Sequence, residues 1–509
     1  MKKNVLLYFA AIAFLTAAAI SCENPESLPG PDQNQPEQNQ PEQGDTLNQK
    51  PSEEPSEPIK LENIICTLES DPSRVFEGNP SFSVHIENPN DTVLIATVTL
   101  KVSTDKGVSV ETLNKDVELP AKGTADINIA PENTLEPGFY KTYCYAKSPV
   151  KNTPLVLCNY IVGVSPYDIV SEPDMQADFD EFWAAAKAQL PELKEGETVK
   201  LIEVASKSSA TRKVYLVEMQ SVPNGLDGEP VIVRGFYVEP QDGKKHPVLM
   251  HFFGWDDRNG AVTVPSGGSG DFAEFYLSHR GQYHNNRPAP AEDKWKEAYE
   301  KKYEGQTFDW EWSQIDPCTY ASILDPSDKY NWFGFNFGDK DGYYYRGAFM
   351  DCVQAVRFMA SRPTSDMNNL FGEGSSQGGA LSYATAALSD YPFVAIAPNV
   401  AFLGDYPDYF DIVSWPGNVA KDNQGTMTDE EMYAFLSYFD TKNLATRISC
   451  AVHASSGLMD TTCPPHTNFA PFNNLNTEDK VMIIEPKMGH SYPAGWEASY
   501  MKFFKERMK

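Results

Sequence analysis

Gly374-Ser375-Ser376-Gln377-Gly378 fits Gly-x-Ser-x-Gly, a spacing that can lift a serine out of a sharp strand-to-helix turn and present its hydroxyl as a nucleophile. That spacing makes Ser376 the nucleophile and Ser375 the variable position. The glycines serve the turn, because strand and helix can approach closely only where neighbours lack a Cβ. A serine hydroxyl reacts well only when a base takes its proton and an acid holds the base, in the chain order nucleophile, acid, histidine. Of the eight histidines, only His490 stands in a short glycine-containing loop, Lys487-Met-Gly-His-Ser-Tyr492, after the last strand-like run, Lys480 to Glu485. His85 belongs to a separate all-β region, His246, His251, His279, His284 and His466 are scattered over loops and strand ends, and His453 sits within a strand pattern that suits a core. The acid is Asp460, on the loop beyond the strand-like run Ile448-Ser-Cys-Ala-Val-His-Ala454. Asp405, Asp408 and Asp411 also follow a strand, but they precede a helical segment and suit a polar cap better. A tetrahedral oxyanion needs two backbone N–H donors. Gln377, next after the nucleophile, supplies one, and Trp255 in His251-Phe-Phe-Gly-Trp255 supplies the other.

The elements that must carry these residues follow from periodicity. Downstream of the turn, Ala380 to Leu388 has the small and apolar residues of a helix that packs tightly on a sheet, and the apolar run Phe393 to Ala397 follows. Strand, turn, helix, strand is the order the motif requires in an α/β-hydrolase. Upstream, Met175 to Leu190 predicts a helix with Phe179, Phe182 and Trp183 on one face. Strands are expected at Val199 to Glu203, Lys213 to Met219, Val231 to Val238 and Pro247 to Phe253, giving a doubly wound α/β sheet over 170–509. Between 60 and 165 the period is two instead, as in Phe82, Val84 and Ile86, and in Ala125, Ile127 and Ile129. That predicts a small all-β sandwich of immunoglobulin-like type, either a glycan-binding or docking module or a spacer packed on the next domain.

A formal charge of -29 over 509 residues argues against nucleic acid or anionic membrane surfaces as partners. Residues 1–22 read as a leader. Lys2 and Lys3 precede the apolar run Val5 to Ile20, and Ala19-Ile-Ser-Cys22 resembles a bacterial lipobox that would lipidate Cys22. Residues 23–58, rich in Pro, Gln, Asn and Glu, cannot bury enough surface to offset ordering entropy and read as a tether. The expectation is an exported lipoprotein at the periplasmic or cell-surface side of the outer membrane, touching membrane only through its lipid. The other seven cysteines lack metal-ligand spacing, so no structural metal and at most one or two disulfides are expected, and no cofactor is implied.

Several segments together resemble the acetyl xylan esterase and cephalosporin C deacetylase family of carbohydrate esterases. They are Asp178-Phe-Asp-Glu-Phe-Trp183, Arg280-Gly-Gln282, Tyr344-Tyr-Arg346 with Asp351, Gly374 to Gly379, and Gly457-Leu-Met-Asp460 running into Cys463-Pro-Pro465. The resemblance implies an α/β-hydrolase that removes acetyl groups from acetylated glycans, with Ser376, Asp460 and His490 as triad and Arg280 and Gln282 supporting the site. It also implies homo-oligomers, which a tethered sandwich would obstruct. This chain departs from the family in three places: Ser491 follows the histidine where glutamate is usual, Phe253-Gly-Trp255 replaces His-Gly-Tyr, and 283–342 is a long insertion. The insertion carries Trp295, Trp310, Trp312, Trp332, Phe333, Phe335 and Phe337, which either stack on sugar rings or form the insertion's own core. Other functions open to the same residues are a serine peptidase, a different carboxylic ester hydrolase, or a glycan-capturing lipoprotein without catalysis.

Overall fold

A computed structural model describes residues 60–223, 228, 230–255, 261–262, 270–280, 283–284 and 331–509. Residues 1–59, Gln282, Cys318 and the side chains of 283–330 lie outside the described part, and so do the expectations placed on them.

The period-two region forms eight strands: β1 (Ile65–Glu69), β2 (Val75–Phe76), β3 (Phe82–Glu87), β4 (Leu94–Thr104), β5 (Ser109–Leu119), β6 (Thr124–Ile129), β7 (Gly138–Ser148) and β8 (Lys151–Val164). They make two sheets, ordered β1-β3-β6 and β2-β8-β7-β4-β5. Alternation decides the faces. Phe82, Val84 and Ile86 of one sheet and Val98, Leu100 and Val102 of the other are buried together in a core of their own.

The sheet that carries the chemistry contains β9 (Val199–Glu203), β10 (Arg212–Pro223), β11 (Pro230–Pro240), β12 (His246–Phe252), β14 (Ala273–Ser278), β16 (Ser365–Ser375), β17 (Ala395–Asn399), β18 (Ala451–Gly457) and β19 (Lys480–Glu485). A separate short ribbon pairs β13 (Ala261–Val262) with β15 (Tyr283–His284). Strand order in the large sheet is β19-β18-β17-β16-β12-β14-β11-β10-β9. From β14 to β19 all neighbours are parallel, while β9, β10 and β11 add an antiparallel flank. Helices cover both faces, as a parallel sheet requires. Along β16, Leu370 joins the core under the helices Tyr344–Ala360 and Gln377–Leu388, whereas Phe371 turns to the other face and stacks on Phe504 of the helix Trp496–Lys505 at 4.9 Å. The helix Phe179–Ala188 buries Phe179, Phe182 and Trp183, the face its sequence marked. This is the doubly wound α/β-hydrolase architecture, preceded by an all-β region.

Sandwich and hydrolase sheet belong to one compact unit, Leu61–Lys509. Phe139 of β7 packs on Phe469 at 5.4 Å, and Asn473 Nδ2 donates to the carbonyls of Pro166 and Ile169 in the connection. A charge cluster completes the contact. His466 Nε2 lies 3.0 Å from Asp405 and 3.2 Å from Asp408, Lys442 Nζ 3.0 Å from Asp405, and Lys106 of the sandwich 2.5 Å from Asp408. Asp405 occupies the N-cap position of the helix Tyr406–Ile412, yet its carboxylate makes no cap bond and goes to His466 and Lys442 instead. The cap expected from sequence is thus a buried ion cluster, with lysines already neutralising the carboxylates. All six described cysteines are free thiols.

The cluster has a pH signature. Burial pulls the His466 imidazole down, but the hydrogen bond and charge of Asp405, with the charges of Asp408 and Asp105, outweigh it and hold the group above its ordinary value. Its folded value is raised, so its contribution is complete below about 6.5, the unfolded value, and is lost as pH rises through the folded one. His466→Gln should destabilise by about 1.5–3 kcal/mol at pH 6, the range for a hydrogen bond to a charged group. Scanning calorimetry at pH 6 and pH 9 should find the deficit smaller at pH 9; an equal deficit at both would show that charge has no part in it.

Candidate active site

Ser376 follows the last residue of β16 and precedes the first of the helix Gln377–Leu388, with φ 58° and ψ -120°. A non-glycine residue in that region is strained, and the surroundings must hold it there. Two glycines make it possible. A Cβ on Gly374 would stand 2.3 Å from the Gly378 carbonyl oxygen, and one on Gly378 would stand 2.1 Å from the Phe252 carbonyl oxygen. Backbone then clamps the turn: Ser376 N–H donates to Asn399 C=O at 2.9 Å, and Phe402 N–H donates to Ser376 C=O at 3.0 Å.

Three side chains 84 and 30 residues apart in sequence converge here. His490 Nε2 is 2.9 Å from Ser376 Oγ, and His490 Nδ1 is 2.8 Å from Asp460 Oδ2. Asp460 is buried, and its other oxygen accepts the N–H groups of Thr462 at 2.8 Å and Cys463 at 2.9 Å. With both oxygens engaged, the carboxylate cannot rotate away from the imidazole. The His490 side chain keeps 29 % of its surface exposed, so the relay ends at solvent. Such an arrangement can pass the Ser376 proton to His490 Nε2 while Asp460 fixes the proton on Nδ1.

Asn399, at the end of β17, was not marked by any sequence signal. Its Nδ2 donates to Ser375 Oγ at 2.7 Å and to Ser491 C=O at 3.1 Å, tying the turn to the histidine loop, and its Oδ1 accepts the Ser455 hydroxyl. The loop after β12 comes against the nucleophile, since a Cβ on Gly254 would be 3.2 Å from the Ser375 carbonyl oxygen and 3.7 Å from Ser376 Cβ. Trp255 follows it. Its ring packs at 5.0 Å on Trp332 and at 5.6 Å on Trp415, with Phe402 stacked on Trp415 at 5.5 Å. Trp255 and Trp415 stay partly exposed. Trp332 and Phe333 are buried, and Phe335 and Phe337 pack against the same core. The described insertion aromatics therefore belong to the protein core and not to an open sugar platform.

Arg280 lies two residues beyond the end of β14. Its guanidinium is buried and paired with Asp351, Nε to Oδ2 at 2.8 Å and Nη2 to Oδ1 at 2.7 Å, while Arg280 N–H donates to Oδ2 at 3.0 Å. Gln377, by contrast, sits next to the nucleophile with its side chain fully buried. Tyr345 O–H donates to its Oε1 at 2.8 Å, and its Nε2 lies 2.9 Å from His279 Nε2.

A parallel sheet with a serine on a strained turn after β16, and a histidine and buried acid in reach, defines an α/β-hydrolase. More narrowly, the chain belongs to the acetyl xylan esterase family: the model "Acetyl xylan esterase (AXE1)" matches residues 167–306 and 334–507. It is a serine carboxylesterase of that family. Acetyl esterase Axe7A of Xylanibacter ruminicola is 26 % identical over 350 residues, 68 % of this chain and 71 % of that protein. Two solved structures, the acetyl xylan esterase from Paenibacillus sp. R4 and acetyl xylan esterase 1 from Thermoanaerobacterium sp. JW/SL YS485, are each 24 % identical, cover 67 % of this chain and 98 % of their own, and superpose with TM-scores of 0.52 and 0.51. They share the fold of residues that follow the sandwich.

Proposed function

We propose that the protein removes acetyl groups from acetylated polysaccharide or oligosaccharide through Ser376, His490 and Asp460. The observation that carries this reading is the hydrogen-bonded relay Asp460–His490–Ser376, at 2.8 and 2.9 Å, on a strained turn open to solvent. His490 Nε2 takes the Ser376 proton as Oγ attacks the acetyl carbonyl. The oxyanion that forms is held by the N–H of Gln377 and that of Trp255, the sugar hydroxyl leaves with the proton from His490, and water then hydrolyses the acetyl-serine by the same steps in reverse. Aromatic faces at Trp255 and Trp415 suit a sugar ring better than a peptide, and the names of the relatives agree with an acetyl ester. Lipidation at Cys22 would place the enzyme outside the cytoplasm, on a tether long enough to reach insoluble glycan. Metabolic labelling with a fatty acid, lost in Cys22→Ser, tests that anchor.

The decisive experiment follows acetate release from acetylated xylan and from a small aryl acetate, and arylamine release from a peptide anilide, by the full chain in mild detergent. The expected result is hydrolysis of both acetates and little of the anilide. Cleavage of the aryl acetate alone would move the substrate to another acetylated molecule. Preference for the anilide would make it a peptidase, and glycan binding without acetate release would remove catalysis from the proposal.

A further inference from the structure

One buried histidine beneath the site is used by none of these steps. His279 follows β14, is 1 % exposed, and touches three partners: Gln377 Nε2 at 2.9 Å from its Nε2, Tyr344 Oη at 2.8 Å from its Nδ1, and the Arg280 carbonyl at 3.4 Å. Trp332 stands edge-on to it at 5.3 Å and stacks on Tyr344 at 5.5 Å, closing the compartment.

The donors and acceptors here admit one consistent assignment. Tyr345 O–H can donate only to the amide oxygen of Gln377, so the Gln377 NH2 faces His279. An amide NH2 only donates, which makes His279 Nε2 an acceptor and puts the ring proton on Nδ1. Nδ1–H then donates to the Tyr344 oxygen, whose own hydrogen goes to the Arg280 carbonyl at 2.7 Å. Flipping the Gln377 amide would leave the Tyr345 hydroxyl hydrogen without an acceptor in a fully buried site, which costs the desolvation of that group. A charged imidazole would point Nε2–H at the amide NH2. Burial agrees with the neutral form, drawing His279 down to about 4 although Asp351 pulls the other way.

We propose that His279 is a positioning residue for the oxyanion hole: its Nδ1-protonated ring grips the Gln377 side-chain amide and so holds the Gln377 backbone N–H on the developing oxyanion. This rests on the assignment of that N–H as an oxyanion donor in the proposed reaction. Tyr345 grips the same amide from its other end, so the side chain of the first helical residue after Ser376 cannot turn. The line continues through Tyr344 and the Arg280 carbonyl to the Arg280–Asp351 pair, which gives Arg280 an indirect connection to the site. An oxyanion donor is worth about 10²–10³ in kcat, and its misplacement costs a fraction of that.

Two substitutions separate positioning from packing. His279→Asn can donate to Tyr344 from the place of Nδ1 but falls short of Gln377. His279→Gln can set an amide oxygen where Nε2 stands and accept from Gln377. On an aryl acetate, His279→Asn should lose about 10–100-fold in kcat with KM within about threefold. Its affinity for phenylboronate, which forms a tetrahedral adduct on the serine, should fall by a similar factor, and His279→Gln should recover most of both. Equal losses in the two variants, or none in either, while wild-type activity depends on Ser376, would overturn the role of His279 alone. Acetate release that survives Ser376→Ala would overturn the reaction and this role with it. Histidine 15N spectra of the wild-type chain give an answer that does not depend on how the variants fold. A neutral, Nδ1-protonated His279 at pH 6 is expected, and an Nε2-protonated or charged ring there would overturn the proposal.

Discussion

Ser376→Ala is expected to lower kcat for acetate release by about 10⁴–10⁶-fold, the scale set by removing the nucleophile from a serine triad. Among the described residues, Ser376 is the one hydroxyl or thiol hydrogen-bonded to His490. His490 would keep a base next to the cavity, but without Oγ the acyl-enzyme cannot form, and the remaining rate is that of water in an oxyanion hole. Cys463 is buried beside Ser376, and burial pushes its thiol far above the range where a thiolate forms, so it offers no substitute. His490→Ala should lose nearly as much, and the double variant little more, because the two act as one unit. The fold should survive. Ser376 Oγ has His490 as its bonded partner, while the turn is held by backbone bonds to Asn399 and Phe402 that alanine keeps. Circular dichroism melts of both proteins beside acetate assays check this; a residual rate above about 1 % of wild type would show that another residue attacks.

The turn was legible in sequence because its chemistry is local: two glycines, a serine and a tightly packing helix occupy consecutive positions, and each has a steric reason to be there. The helix Phe179–Ala188 and strands β9 to β12 were legible for the same reason, since their periodicity is contained within each element. Long-range features were not. The β18 strand begins at Ala451 and runs to Gly457, three residues later than the apolar run from Ile448 suggested, because Ser455 and Ser456 can be buried. Ser455 hydrogen-bonds Asn399, and that partner is 56 residues away. The Gln377–His279 contact joins residues 98 apart, and no spacing rule marks it. Asp405 misled for a similar reason: its place before a helix suggested a cap, but the lysine and histidine that claim its carboxylate come from 37 and 61 residues downstream. Trp332 and Phe333 were left between stacking and packing by sequence, and the core decided for packing.

Asp351→Asn is expected to destabilise the protein by about 3–5 kcal/mol, the cost of leaving a buried charge without its partner. The carboxylate accepts from Arg280 Nε, Nη2 and backbone N–H, and its Oδ1 also accepts the Ser221 hydroxyl at 2.6 Å. Four donors converge on one side chain that is itself fully buried. Asparagine has the same shape but only one accepting oxygen, so its NH2 would oppose at least one of those donors, and the guanidinium would lose the carboxylate that pairs with it. It cannot swing out to water, because it lies flat on the backbone at Gly347, where a Cβ would stand 2.0 Å from Nη1. A fall in the melting midpoint of roughly 4–7 °C follows from an unfolding entropy of about 2.1 cal/mol/K per residue over a domain of this size. Replacing both partners by Arg280→Met and Asp351→Leu should cost less than Asp351→Asn alone, since no charge is then stranded. Calorimetry on the three proteins gives the comparison, and kcat on an aryl acetate, measured well below each midpoint, completes it. Stability lost with kcat kept would confine the pair to the core. Should kcat fall as well, by the factor found for His279→Asn, the ion pair would be acting through the Arg280 carbonyl, Tyr344 and His279 on Gln377.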